Sequence, residues 1–334
     1  MQQKFKHKKI LIFSPQFFGY GKEVAKKLEA LGATVDYYDE RPGNDFITKA
    51  VIRIKKSLLS QKIDAYYASI ISNLVSDHYD FVLFLNPEAI STSKIQQLRK
   101  SQPNATFIMY MWDSLLNKKY TLDLLPYFDH KHTFDKEDSA NSTYGFNFRP
   151  LFFLDAYKNV NTDSTKLTTD LLFVGTVHSD RYKLIMEIEQ TCRKMGKSLD
   201  FYMFFQSKKL YYAQKATNKS FRNAKKKDFA FDSISKEQII DKIGNSRVVL
   251  DIQHPDQKGL TMRTIEMIGA QKKIITTNMH IKSYDFYDPG NIHCVDRENI
   301  ELNNSFFETD YKRLDAAIYH KYSIDGWLED VFSI

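Results

Sequence analysis

Along the first half of the chain, short unbroken apolar runs alternate with stretches in which apolar residues recur every three or four positions. The runs at 9–13, 34–38, 81–85 and 106–110, with another near 131–134, are rich in β-branched and aromatic residues and read as strands. Residues 21–31 place Val24, Leu28 and Leu31 on one face and read as a helix, as do 45–57, 63–76 and 91–100. This β-α alternation predicts a parallel sheet with helices on both faces.

Residues 155–168, DAYKNVNTDSTKLT, lose the periodicity and are polar, which marks a linker. The pattern then restarts, with strands at 170–174, 199–204, 247–252 and 273–277 and helices at 181–194, 236–243 and 260–270. The expectation is an α/β protein of two Rossmann-like domains, 1–154 and 169–312, facing each other across a cleft. A helical segment, 313–334, follows, and packing back on the first domain is one course open to it. The length agrees, since 334 residues exceed the roughly 250 to 300 at which one hydrophobic core stops growing.

Composition narrows the class. Hydrophobic residues at 43% and charged ones at 27% are ordinary for a globular protein, so extensive disorder is not expected. The basic start, MQQKFKHKK, precedes an apolar run too short for an export signal, and no run approaches the roughly 18 residues of a membrane span. Cys192 and Cys294 show no metal-ligand spacing. A cytoplasmic location is expected.

The net charge of +7 is local: residues 206–227 carry eight cations and no acid. Leu210, Tyr211, Tyr212 and Phe221 interleave with those cations. Peripheral binding to an anionic membrane surface, at about 1 kcal/mol per cation, is one reading, and a solvated lysine-rich loop is the other. No zinc spacing, RNP motif or recognition helix supports a nucleic-acid partner.

The segment with the most chemistry is 254–278, HPDQKGLTMRTIEMIGAQKKIITTN. Gly259 stands at a strand-to-helix turn, and a helix opening there presents N–H groups and partial positive charge to a phosphate. Arg263 in the first turn can add a bidentate contact, and Glu266, three residues on, can accept the hydroxyls of a ribose. From spacing alone, a surface i,i+3 ion pair of about 0.2 to 0.5 kcal/mol explains the same two residues.

On these residues the chain resembles bacterial glycosyltransferases of the GT-B fold, especially the lipopolysaccharide and spore-maturation-type group. In that group Gly, Arg and Glu open a helix that leads into a strand like KKIITTN, as Gly259, Arg263 and Glu266 do here. The likeness extends to FVGTVHSDRYKLI at 173–185, MYMWDS at 109–114 and YSIDGWLEDVF near the end. It implies that Glu266 binds the ribose of a UDP- or GDP-linked sugar and that the backbone around Lys258, Gly259 and Leu260 holds its diphosphate or sugar. Many retaining relatives carry a second carboxylate where Lys258 stands, so the stereochemical outcome stays open.

Gly175, Thr176, His178, Arg181 and Lys183 cluster at the next strand-to-helix turn, where glycine permits close approach and Arg181 can neutralise a leaving diphosphate. A capped helix start with solvated charges is the plainer account of them. Asp113, beyond the strand at 106–110 and beside Trp112, is the candidate base, with a helix cap as its alternative. The loop SPQFFGYG, residues 14–21, reads as an acceptor-side surface of Phe17, Phe18 and Gly19.

The leading expectation is transfer of a sugar from a nucleotide donor to a cell-surface polysaccharide, lipopolysaccharide or lipid-linked acceptor, with no separate cofactor and no metal. Two other classes stand beside it. An NAD(P)-dependent oxidoreductase would use Gly19, Gly21 and Asp39, although Val24 occupies the third glycine position. A non-catalytic nucleotide- or glycan-binding module would explain Lys258.

Overall fold

The computed structural model describes residues 2–74, 76–161 and 163–333, without the side chains of residues 2, 46, 47, 49, 53 and 164. Of the segments read from sequence, Val75 in the helix at 63–76 and Thr162 in the linker lie outside the described residues, as do Met1 and Ile334.

The chain divides into two compact units, Met1–Leu151 with Ile324–Ile334, and Phe152–Ser323. Residues 155–168 lie within the second, where they form short 3-10 turns at Asp155–Asn159 and Ser164–Lys166.

The first unit is built on six parallel strands: β1 (Lys9–Ser14), β2 (Thr34–Asp39), β3 (Phe81–Leu85), β4 (Thr106–Met111), β5 (His130–Thr133) and β6 (Asn147–Phe148). They lie in the order β2-β1-β3-β4-β5-β6. The dipeptide strand β6 and the 3-10 stretch Lys119–Tyr127 carry no periodic signal and were not foreseen. The helix Tyr20–Ala30 lies close on β1, because a Cβ at Gly21 would stand 2.2 Å from Ser14 Oγ. Gly21 is therefore needed for packing, whatever else the loop does. The helix Ile324–Phe332 completes this core: Trp327 is fully buried, edge-on to Tyr110 at 4.9 Å, and Arg149 pairs with Asp330 at 2.8 Å.

The second unit has five parallel strands: β7 (Thr169–Thr176), β8 (Leu199–Phe204), β9 (Ser246–Asp251), β10 (Lys273–Thr276) and β11 (Ile292–Cys294), in the order β11-β10-β9-β7-β8. Read from its first strand, this is the order 2-1-3-4-5, whose direction reverses between β7 and β9. Open sheets of this kind bind ligands beyond the carboxyl ends of their strands at such a reversal. The helices Arg181–Lys194 and Lys236–Gly244 cover the sheet through one-sided apolar faces.

Candidate functional site

The reversal between β7 and β9 is where the second unit gathers its chemistry. Beyond β7 the chain turns through Ser179 at a positive φ of 53° and enters the helix Arg181–Lys194, whose cap residue Asp180 makes no side-chain bond to the first turn. Arg181 folds back to donate from Nη1 to the Thr176 carbonyl at 2.8 Å. Its Nε is buried with no partner among the described residues, and so is Oδ1 of Asp180. Burial, more than any neighbour, lowers the guanidinium's pKa, and the nearby Asp251 opposes that shift.

Arg297, beyond β11, completes the group. It donates to Asp180 Oδ2 and to the Gln253 carbonyl, each at 2.6 Å, and so ties the loop after β7 to the loop after β9. His178 stacks on His254 with ring centres 5.6 Å apart, and its Nδ1 lies 3.0 Å from Ser179 Oγ. Burial first, and the charge of Arg181 second, push the His178 pKa down to about 4, so this ring is neutral at pH 7. Two guanidiniums, a neutral imidazole and the start of a helix thus converge at the carboxyl edge of the sheet.

The segment at 254–278 is placed differently from the sequence reading in three respects. The helix runs Met262–Ala270, not from 260, because Thr261 is its cap: the hydroxyl accepts from the Thr264 amide at 3.1 Å and donates to buried Asp251 at 2.7 Å. Gly259 and Leu260 therefore belong to the preceding loop, and their amides are outside the helix's first turn. That loop is held by Asn278, whose side chain donates to the carbonyls of Lys258 and Gly259, both at 3.2 Å.

Arg263 and Glu266 are joined at 2.7 Å, and the pair is not on the surface, with side chains 19% and 10% exposed. Buried Tyr157 lies beside both, and burial first and the Glu266 charge second raise its pKa. The weak exposed ion pair is thereby corrected to an enclosed three-residue cluster. Lys183 is 60% exposed and faces Glu187 at 3.7 Å, as a solvated helix residue does. Gly175 is paired within β7 to Met203, with Thr176 next to it at the strand's end.

In the first unit, Asp113 follows β4 with its side chain 49% exposed. It accepts from Asn86 Nδ2 at 3.1 Å and lies 3.6 Å from Lys118. The cap of the next turn is Ser114, so Asp113 does not serve in that role. Trp112 is buried and stacked on Phe17 at 5.5 Å, while Phe17 meets Phe18 edge-on at 4.9 Å. The expected stacking surface of Trp112 is thus already covered, and Phe18, 82% exposed, is the aromatic ring offered to solvent beside Gly19. Asp39 is engaged by the Arg41 amide at 2.9 Å and by Asn44 at 2.6 Å, which occupies the carboxylate a dinucleotide ribose would need. Among the described residues no group of three or more His, Cys, Asp or Glu is placed to hold a metal.

No protein-family model and no curated protein sequence matches the chain. Solved structures do match, over nearly its whole length. The lipopolysaccharide outer core galactosyltransferase WaaB aligns over 97% of this chain and 99% of its own, at 14% identity and a TM-score of 0.54. HepE of Anabaena, solved with UDP and glucose, covers 98% and 100% at 10% identity and a TM-score of 0.62. The fold is GT-B. A UDP-GlcNAc 2-epimerase from Methanocaldococcus jannaschii, solved with UDP-GlcNAc and UDP, shares it over 98% and 100% at 13% identity and a TM-score of 0.54.

Seen as GT-B, the second unit contains functional candidates that the sequence reading missed. Arg297, Asp251, Gln253 and Tyr157 lie in no motif, and only the strand order brings them to the groups that were read. The basic stretch 206–227 is partly internal: Tyr211 and Phe221 are buried against Phe205 and Phe229, leaving Leu210 and Tyr212 as its exposed apolar residues. Among the described residues no helix is long and apolar enough to cross a membrane.

Proposed function

We propose that the protein transfers a sugar from a UDP- or GDP-linked donor to a glycan or lipid-linked acceptor of the cell surface. The observation that carries this reading is the convergence of Arg181 and Arg297 at the strand-order reversal of the second unit, with Arg181 Nε buried and without a partner among the described residues. A diphosphate offers acceptors for the guanidiniums and for the first-turn amides of the helix Arg181–Lys194.

In the proposed mechanism Arg181 and Arg297 stabilise the charge that grows on the leaving diphosphate. Neutral His178 donates or accepts a hydrogen bond there without adding charge. Glu266, held by Arg263 with Tyr157 beside it, orients the ribose through the carboxylate capacity that this bond leaves. Asp113, exposed in the first unit, takes the proton of the attacking hydroxyl if the reaction inverts. A lipid-borne acceptor would suit the cations at 206–227. HepE and the epimerase, both solved with UDP, support a nucleoside diphosphate as the ligand class.

Calorimetric titration with UDP, GDP and their sugars, followed by product analysis with and without glycan acceptors, tests the proposal. A nucleotide-sugar should bind and be consumed, and Arg181→Gln should weaken binding at least tenfold. Binding without turnover would leave a non-catalytic module, and epimerised donor would leave an epimerase. Failure of every nucleotide-sugar to bind would sink the reading.

A further inference from the structure

A second cationic site lies in the second unit at the opposite edge of the same sheet. Arg247 is the second residue of β9, Lys273 opens β10, and Lys272 precedes it, so all three stand at the amino ends of strands. They line a cavity of about 220 Å³ together with Asp310, Tyr311 and Arg313. A six-residue strand spans about 20 Å, which separates this cavity from the cluster around Arg181.

The lining has unspent capacity. Lys273 uses its ammonium fully, on the Phe306 and Thr309 carbonyls and the Thr309 hydroxyl, and contributes charge only. Lys272 donates to the Gly244 and Ser246 carbonyls and retains one N–H. Arg247 has a single long ion pair, 3.7 Å to Asp310. Arg313 is exposed and has no ion-pair partner among the described residues. Tyr311 contributes its ring to the wall, its hydroxyl being buried away from solvent.

We infer that this cavity is a binding site for a small phosphate-type oxyanion, held by Arg247 and Arg313 with Lys272 as a further donor. Four cations against one carboxylate match a dianion better than a monovalent carboxylate, and three phosphate oxygens match the divergent donors. The cavity is smaller than the roughly 300 to 1,000 Å³ of pockets for drug-sized molecules, which limits the occupant to inorganic phosphate or a compact phosphate ester. The ammonium groups agree with this geometry: burial first, and the charge of Arg247 second, hold Lys272 and Lys273 down to about 8. A bound anion would relieve that repulsion.

The test is calorimetric titration of the full chain with inorganic phosphate, and separately with acetate, in an Arg297→Gln background that weakens the other anion site. Phosphate should bind this background, and adding Arg247→Gln with Arg313→Gln should weaken it at least tenfold. Arg313→Gln alone, an exposed position that does not threaten folding, should give a smaller loss of several-fold. Absence of phosphate binding in the Arg297→Gln protein overturns the inference, as does binding that survives both arginine changes. Acetate binding as tightly, with the same sensitivity, overturns the phosphate class. None of these outcomes depends on whether a nucleotide-sugar binds elsewhere.

Discussion

Arg297 joins two loops that are distant in the chain, since its partner Asp180 lies 117 positions earlier. A charge-assisted hydrogen bond contributes about 1.5 to 3 kcal/mol, so Arg297→Gln should raise the Kd for UDP or GDP about tenfold or more, measured by calorimetry. Arg181 was legible because it opens a helix beside a glycine turn. Arg297 was not, because its meaning depends on the position of β11 in the sheet. Glu40 shows the same limit. It reads as one of several acids after the second strand, yet it is fully buried, and its Oε1 accepts from the amides of Glu88, Ala89 and Ile90. Burial first, then the charge of Glu88, raise its pKa to about 7. The folded state therefore holds a proton that the unfolded state releases above about 4.5. The stability this group provides is full below that value and is lost as pH rises through about 7. Glu40→Gln keeps the neutral form, so its Tm relative to the parent should climb between pH 5 and pH 8. A difference that stays flat across that range would refute the assignment.

At the scale of elements, the helix Met262–Ala270 shows what periodicity can and cannot give. Its apolar face and its end were legible; its start was not, because Thr261 is fixed by Asp251 from β9. Its inner surface lies so close to Phe153 that a Cβ at Gly269 would stand 2.5 Å from that ring. Gly269→Ala should cost about 1 to 3 kcal/mol by overpacking, read from denaturant unfolding. Tyr157→Phe leaves the packing in place and removes only the hydroxyl set beside Arg263 and Glu266. It should lower stability by about 1 to 2 kcal/mol and weaken nucleotide binding if Glu266 holds the ribose. Unchanged nucleotide affinity alongside the lost stability would assign the cluster to packing alone.

For the whole molecule, nine of the eleven described strands were legible as short apolar runs that alternate with amphipathic helices, whereas the brief edge strands β6 and β11 were not. The strand order was not, since periodicity carries no information about neighbours, and the candidate site depends on that order. The strand reversal between β7 and β9 brings His178 and Arg181, after one strand, together with Asp251 and His254, at the end of the other. The helix Ile324–Phe332 was legible as a helical segment for which packing on the first domain was one course, but its contacts around β4 were not legible. Trp327, Leu328 and Val331 are fully buried there, and burying a side chain of this size contributes about 1.5 to 3 kcal/mol. Removing residues 324–334 should forfeit enough of the roughly 5 to 15 kcal/mol that holds a domain together to unfold the first unit. Limited proteolysis should then cut within residues 2–151 while the second unit stays resistant.

Because that helix is separated from the rest of its unit by the 172 residues of Phe152–Ser323, the first unit cannot be completed until the second has been synthesised. On a ribosome adding about 5 to 20 residues per second, the six-stranded sheet waits roughly 10 to 30 seconds for its last element, the time in which the five-stranded unit is made. During that interval the surface destined for Trp327 is open to water, and it is there that a chaperone would act on the nascent protein.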